Sequence, residues 1–391
     1  GWREKNPIPD DFTRYGAFDI LRDSNLERVR DIAENDQGKI GTLYQVAMNT
    51  EQRNADGIKP VDKYMAEIDT LTSPSDLPKY LGEMHKFSSA FWGDGVALDE
   101  MDSEHYLYNI GQGGIGLERD YFFDTDEKTV EVRKKYKEFI AKQLKNFGID
   151  ADANKLYALE ERMAKSFYTK EKLRDPHANY HKMSVSQIKE KFSGFNWDTF
   201  LVARGAAAAS YINMAQPEAI AESIAIMHDT DFDLIKAYLK YRIALSADSL
   251  LDDKSYDIAF DFYNRTMAGQ KEPKPRWKRA VSMLDDSLGE EIGRLYVEKY
   301  FSADAKERMQ TLVKNLQRAY AMRIENLDWM GDETKSKALE KLSTFTAKIG
   351  YPDKWRDYSS LEIKNDSLYE NMMRVAQFED AFWIEKIGQK K

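Results

Sequence analysis

The sequence contains no cysteine. That excludes a disulfide framework, a thiolate nucleophile and any metal site built on thiolates. No apolar run approaches the roughly 18–20 residues that a membrane-spanning helix needs, and no secretory signal stands at the start. Basic charge is in the minority, with 58 Lys and Arg against 67 Asp and Glu, a net charge of -9. Nucleic-acid affinity draws largely on cationic neutralisation of phosphates, so this balance disfavours nucleic acid as a partner. Proline- or serine-rich linkers, fixed-period repeats and low-complexity tracts are missing too, apart from Ala206-Ala207-Ala208-Ala209. Two catalytic signatures are absent. There is no Gly-x-Ser-x-Gly elbow and no His-Glu-x-x-His anywhere in the 391 residues.

What is present is the composition of a soluble globular chain, 42% hydrophobic and 32% charged, long enough for two or three domains. Its patterning is helical. Val132, Tyr136, Phe139, Ile140, Leu144 and Phe147 recur at steps of three and four, which places them on one buried helix face. Gly148 then stands where a left-handed C-terminal cap is expected. Asn154 to about Tyr168 and Leu234 to Leu250 read as further helices. Met309, Leu312, Val313, Leu316, Tyr320 and Ile324 mark another, and all these stripes are expected to face a core. Ser24-x-x-Glu27 fits a capping box at a helix start. Strand signals are few. Tyr106 and Tyr108 alternate with Leu107 and Asn109, and Phe345 to Ile363 carries short β-like pieces broken by Gly350 and Pro352. The expected fold is mainly α, a large multi-helix lobe over residues 1–343 with a small β component, followed by a mixed connecting segment over 344–391.

Gly111, Gly113 and Gly116 satisfy G-x-G-x-x-G. A dinucleotide site needs a helix opening inside that pattern, but Leu117 to Asp124 has no helical apolar stripe. Glycines at a sharp turn explain the pattern more simply. Five histidines occur, His85, His105, His177, His181 and His228. Only His177 and His181 have the four-residue spacing of helical metal ligands. A catalytic zinc needs three protein ligands, and Ala178 stands where the general-base Glu of that motif belongs. No metal site and no catalytic residue is therefore assigned within this sequence. Lys271, Lys274, Arg276, Lys278 and Arg279 surround Trp277, which reads as a solvated or paired basic loop. Acidic pairs are too abundant to single out. Arg14 and Arg22 are the ligand-contact candidates, since a guanidinium presents a planar fork that grips a carboxylate through two parallel hydrogen bonds.

Four segments carry a family likeness by their order and spacing. They are Thr13-Arg14-Tyr15-Gly16-Ala17-Phe18-Asp19-Ile20-Leu21-Arg22-Asp23, Gly111-Gln112-Gly113-Gly114-Ile115-Gly116-Leu117-Glu118-Arg119-Asp120-Tyr121, Pro275-Arg276-Trp277-Lys278-Arg279-Ala280-Val281 and Ile349-Gly350-Tyr351-Pro352-Asp353-Lys354-Trp355. Together they resemble the N-terminal part of the neprilysin/PepO family of zinc metalloendopeptidases. The match extends through Leu159-Glu160, Tyr180-His181-Lys182-Met183, Leu288-Gly289-Glu290 and Leu327-Asp328-Trp329-Met330. The lack of cysteine departs from the disulfide-bonded animal members and is closer to a bacterial type.

The resemblance implies most of a peptidase's non-catalytic lobe, ending before the metal site. The zinc of the parent enzyme and the catalytic lobe that holds it are then expected beyond residue 391. It implies oligopeptide substrates enclosed between two lobes. It also assigns Arg14 and Arg22 to the primed side of the peptide site, holding the substrate's C-terminal carboxylate. The compartment stays open, with periplasmic, cell-surface or secreted locations favoured over the cytoplasm. Two other classes fit the residues without the resemblance, a helical protein that captures peptides without cutting them and a purely structural partner-binding protein.

Overall fold

In the computed structural model, which describes residues 5–391, the chain is mainly α-helical with one small sheet. The helices used below are α1 (Ala17–Asn35), α2 (Leu77–Met84), α3 (Glu127–Asn146), α4 (Ala153–Ser166), α5 (Trp197–Arg204), α6 (Pro217–Asp229), α7 (Phe232–Ala247), α8 (Arg276–Tyr300), α9 (Ala303–Glu325), α10 (Asp332–Ser343) and α11 (Leu368–Ile384). The strands are β1 (Trp92–Asp99), β2 (Asp102–Gln112), β3 (Lys182–Ser184) and β4 (Tyr211–Met214). The chain forms two compact units. Among the described residues, one gathers 5–15, Val46–Lys274 and Ile363–Lys391, and the other gathers Gly16–Gln45 with Pro275–Glu362.

The first unit is built around the sheet, whose order is β1-β2-β4-β3. β1 and β2 form an antiparallel hairpin with Val96 opposite Tyr108. β2 and β4 run parallel, with Tyr108 opposite Ile212, and β3 closes the far side antiparallel to β4. Aromatic packing beneath β1 is dense. Trp92 stacks on Trp197 at 5.7 Å and meets Phe195 edge-on at 5.2 Å. A second cluster centres on α3, where Tyr136 and Phe139 pack on Phe262 at 5.3 and 4.9 Å.

The expected apolar face of α3 is buried at Val132, Tyr136, Phe139, Ile140 and Leu144. Its end is a Schellman turn. The Ile149 amide donates to the Leu144 carbonyl at 2.9 Å, the Gly148 amide donates to the Lys145 carbonyl at 3.4 Å, and Gly148 has φ +62°. Glycine takes that conformation without a Cβ clash, so the helix stops there.

The second unit packs α1 on α8. Val281, Leu284, Leu288 and Ile292 of α8 are buried, as are Ile32 and Ala33 of α1. Polar contacts fix their register. Lys278 pairs with Asp23 at 2.8 Å, and the Tyr296 hydroxyl donates to Asn25 at 3.1 Å.

Three expectations differ from the structure. Ser24 does not open a helix, because α1 already runs from Ala17, where the Gly16 carbonyl accepts from the Asp19 and Ile20 amides. The capping-box spacing therefore falls inside a formed helix. The β-like pieces after Phe345 form no strand. The segment up to Ile363 is irregular and α11 follows. Its carbonyls and amides are held by side chains instead of a ladder. Lys306 donates to the Tyr351 carbonyl at 3.0 Å, and Glu290 accepts from the Arg356 amide at 2.7 Å. Pro352 lacks an amide and Gly350 sits at φ +74°, which also opposes an extended ladder.

The third difference is α9. Its apolar stripe is present, yet Met309, Leu312, Leu316 and Tyr320 are 43–60% exposed and no residue of α9 or α10 is buried. Periodicity shows that a helix has an apolar face but not which element covers it.

This assignment is checked by urea unfolding of two variants. Leu316→Asp is expected to change stability by no more than about 0.5 kcal/mol, as for an exposed site. Leu284→Ala, in the buried face of α8, is expected to cost about 2–5 kcal/mol. A large loss for Leu316→Asp would place that stripe in a core.

Candidate functional site

Arg14 and Arg22 are both exposed. Arg14 lies in the first unit, beside Phe12 and Tyr15, whose rings meet edge-on at 5.3 Å. Arg22 lies in the second unit on α1. The face of α1 that carries Asn25 and Arg28 is engaged by Tyr296, whose hydroxyl accepts from Arg28 at 3.1 Å. On the same side of α1, in the two turns before Asn25, Phe18 and Arg22 stay open to solvent, Phe18 at 87% exposure. An exposed guanidinium keeps its donors in water, ready for an anionic ligand.

The glycine cluster has a packing explanation. β2 ends at Gln112, and the next α-helical turn begins only at Asp120, so no helix N-terminus opens within the pattern. Gly114 has φ +85°, and a Cβ there would sit 2.5 Å from both the Phe91 amide nitrogen and the Tyr238 hydroxyl. At Gly116 a Cβ would sit 2.1 Å from the Tyr136 hydroxyl. The chain turns here in close contact with Phe91, Tyr238 and Tyr136, which leaves no room for a side chain at Gly114 or Gly116. His177 opens a short 3₁₀ turn and His181 immediately precedes β3, so the four-residue spacing does not put them on one helix face. No group of three or more metal-donor side chains occurs among the described residues. In the basic stretch, Lys271 pairs with Asp10 and Lys278 with Asp23, each at 2.8 Å.

The strongest electrostatic feature comes from residues that the sequence left unmarked. Asp94 on β1 is 2% exposed at its side chain. Its Oδ1 lies 2.6 Å from His85 Nδ1, and its Oδ2 accepts from Arg204 Nε at 2.7 Å and from the Tyr108 hydroxyl. Arg204, 3% exposed, reaches on to Asp380 of α11 at 2.6 Å. Burial opposes ionisation of Asp94, but His85, Arg204 and Tyr108 outweigh it and hold the carboxyl at about 2. Every member has a charged or hydrogen-bonded partner, so the group serves as a brace. No signal along the chain points to it, because its members run from His85 to Asp380.

Two further buried carboxyls behave in the opposite way. Glu160 on α4 is fully buried and accepts from the Tyr136 hydroxyl at 2.5 Å. Burial pushes it up to about 7 against the opposing pull of Tyr136 and Arg242. Asp248, which accepts from Gln143 at 3.2 Å, is also raised to about 7 by burial.

Comparison with known proteins places these features. The family model for Peptidase family M13 matches residues 1–352. The chain belongs to peptidase family M13. Neprilysin-1 of Caenorhabditis elegans is 27% identical over 99% of this chain and 57% of its own length. Endothelin-converting enzyme 1 of Homo sapiens is 25% identical, with 97% and 53% covered. Among solved structures, the inhibitor complex of the Mycobacterium tuberculosis zinc metalloprotease ZMP1 superposes with a TM-score of 0.92 at 31% identity. That likeness covers 100% of this chain and 62% of ZMP1. PepO from Lactobacillus rhamnosis shares the fold with a TM-score of 0.87 at 21% identity. The chain spans about half the length of the curated relatives it matches. It is the N-terminal portion of a neprilysin/PepO-type protein and is homologous to zinc metalloendopeptidases. No helix among the described residues is long and apolar enough to cross a membrane.

The buried carboxyls of this M13 chain give a pH test. Asp94 has a folded value below the unfolded one, so its contribution is complete above about pH 4 and is lost as pH falls towards 2. Glu160 has a folded value above the unfolded one. The folded state then holds the extra proton, and stability declines as pH rises from about 4.5 to 7. Glu160→Gln keeps an acceptor for Tyr136 but has no charge to bury. Its stability relative to the native chain is expected to rise between pH 5 and pH 8 in urea titrations. A constant difference between the two pH values would show that Glu160 does not take up a proton on folding.

Proposed function

We propose that this chain is the non-catalytic portion of a zinc metalloendopeptidase. In this reading it forms one wall of the chamber in which oligopeptides are cut, and Arg14 and Arg22 hold the C-terminal carboxylate of the substrate. The observation that carries the reading is the end-to-end likeness to ZMP1, a zinc metalloprotease, at 31% identity over 100% of this chain. The described residues supply no three-donor metal set of their own, so the zinc and the base that activates its water would belong to the remaining part of the protein. No step of peptide hydrolysis is assigned to residues of this chain.

The exposed stripe of α9 supports the same reading. Met309, Leu312, Leu316 and Tyr320 form an apolar face whose burial would stabilise an association, and the relatives extend well beyond the matched length. The catalytic portion is the partner we assign to it. The exposed guanidinium groups of Arg14 and Arg22 fit a charge-assisted pairing with a terminal carboxylate. An enclosed chamber would favour oligopeptides over folded proteins. The competing reading, a helical protein that captures peptides without cutting them, has the same fold but predicts no gain of cleavage in a longer form.

The test compares the chain alone with the longer protein that its relatives' lengths indicate. The chain alone is expected not to cleave quenched fluorescent peptides, and the longer form is expected to cleave them in a chelator-sensitive way. Within the longer form, Arg14→Ala and Arg22→Ala are expected to lower kcat/KM about tenfold for peptides whose free C-terminus lies near the cut. Amidated counterparts should change much less. If both peptides slow equally, the two arginines act in the scaffold and not as a carboxylate clamp.

A further inference from the structure

Two buried carboxyls of the first unit, Glu160 and Asp248, meet no cation in hydrogen-bonding contact among the described residues, and both lie on one seam. α3 contributes Tyr136 and Gln143, about two turns apart and both wholly buried. α7 faces them with Tyr241 and, at its C-terminal cap, Asp248, at the same spacing. At one site Glu160 of α4 accepts from Tyr136 at 2.5 Å, and the Tyr136 and Tyr241 hydroxyls lie 3.2 Å apart. At the other, Gln143 donates to Asp248 at 3.2 Å.

Each site holds an acceptor without a donor. Glu160 Oε1 and Gln143 Oε1 are buried and accept no hydrogen bond. An ionised carboxylate would add to these unmet acceptors, and its charge is costly to bury. A proton removes both difficulties. On Asp248 it can be donated to the Gln143 carbonyl oxygen, so that amide and carboxyl exchange two hydrogen bonds. On Glu160 it can be donated to the Tyr136 oxygen, and Tyr136 then turns its own hydrogen to Tyr241. The other ionisable groups facing Glu160 are Tyr157 of α4, Tyr238 and Arg242 of α7, and Tyr263 of the π-helical segment Phe260–Met267. Tyr263 faces Asp248 as well. Arg242 is the one cation of this set, and its Nε is engaged by the Ser89 carbonyl at 2.9 Å.

We propose that the seam between α3 and α7 is a proton latch, closed while Glu160 and Asp248 each hold a proton and opening locally as those protons leave. The 3₁₀ turn Asp248–Leu250 opens with it. Arg53 donates to the carbonyls flanking that turn's end, Ser249 at 3.2 Å and Leu251, and Leu250 and Leu251 wall a cavity of about 350 Å³ beside it. Burial raises both carboxyls to about 7 in the closed seam, whereas an opened seam returns them to the ordinary carboxylate range. Between about pH 5 and pH 7 each opening therefore releases protons, and the open fraction rises roughly tenfold per pH unit for each carboxyl. Above about pH 7 both states are ionised and the dependence ends. The latch does not depend on the peptidase reading, since every part of it lies in the first unit.

The experiment uses the chain alone. Amide hydrogen exchange is followed by mass spectrometry from pH 5 to pH 8, with the intrinsic effect of pH on exchange divided out. Peptides covering 136–147 and 238–251 are expected to lose protection roughly tenfold or more per pH unit up to about pH 7 and then to level off. β2 is expected to change much less. The double variant Glu160→Gln, Asp248→Asn keeps a neutral hydrogen-bonding group at both sites and is expected to lose the dependence. A dependence that survives in that variant would overturn the proposal. So would an equal loss across β2, which would assign the effect to unfolding of the whole unit. Infrared spectra of the native chain give a check that needs no substitution. A protonated-carboxyl band is expected at pH 6, above the range of exposed carboxylates, and is expected to fade by pH 8. Its absence at pH 6 would mean that neither carboxyl holds a proton in the folded chain, and the latch would be wrong.

Discussion

A single buried charge network sets the form of the larger unit. Asp94 is taken out of water on a strand, and an ion in that position is tolerated only when other groups replace its hydration. His85 from the end of α2, Tyr108 from β2 and Arg204 from the end of α5 do so. Arg204 is itself buried and requires a second carboxylate, which Asp380 provides from α11. Each partner is obligatory once the first charge is buried. The chain is thereby forced to bring residues nearly 300 positions apart into one cluster, and the placement of α11 beside the sheet follows from that demand.

The aromatic packing beneath the strand works with this network. Trp92 and Phe200 meet the imidazole of His85 edge-on at 6.1 and 5.8 Å, and Trp197 and Phe195 pack against those two rings. Excluding water there strengthens every electrostatic contact in the cluster. The second core, around Tyr136 and Phe262, encloses Glu160 without a basic partner in hydrogen-bonding contact, and that carboxyl keeps its proton to much higher pH. Burial pushes both carboxyls of this unit upward, yet they end on opposite sides of the ordinary carboxylate range. Paired cations and hydrogen-bond donors decide which way each goes.

Much of the secondary structure could be read from the residues. The α3 stripe and its Gly148 stop were legible because helix periodicity and a left-handed cap are local properties. The glycine cluster was legible as a turn without a helix opening inside it, because the residues after it have no helical stripe. The α9 stripe was legible as a helix but not as an exposed one. Its spacing is the same as that of α3, and only the arrangement of other elements distinguishes a covered face from an open one. The β-like residues after Phe345 failed for a related reason. A strand exists only with a partner, and the residues around Tyr351 and Arg356 are met by side chains of Lys306 and Glu290 instead.

The sequence by itself determined the class of the molecule. It identified a helical, cysteine-free chain of the M13 type, without the His-Glu-x-x-His motif, carrying Arg14 and Arg22 in a family-like segment. These are matters of residue identity and short-range order. The tertiary structure decided what no local pattern encodes. It set Arg14 and Arg22 on separate compact units, left the apolar face of α9 open and buried Asp94 among partners drawn from three elements. The reason is physical. Propensity and periodicity act over a few residues, whereas burial and charge pairing depend on which distant segments the fold brings together.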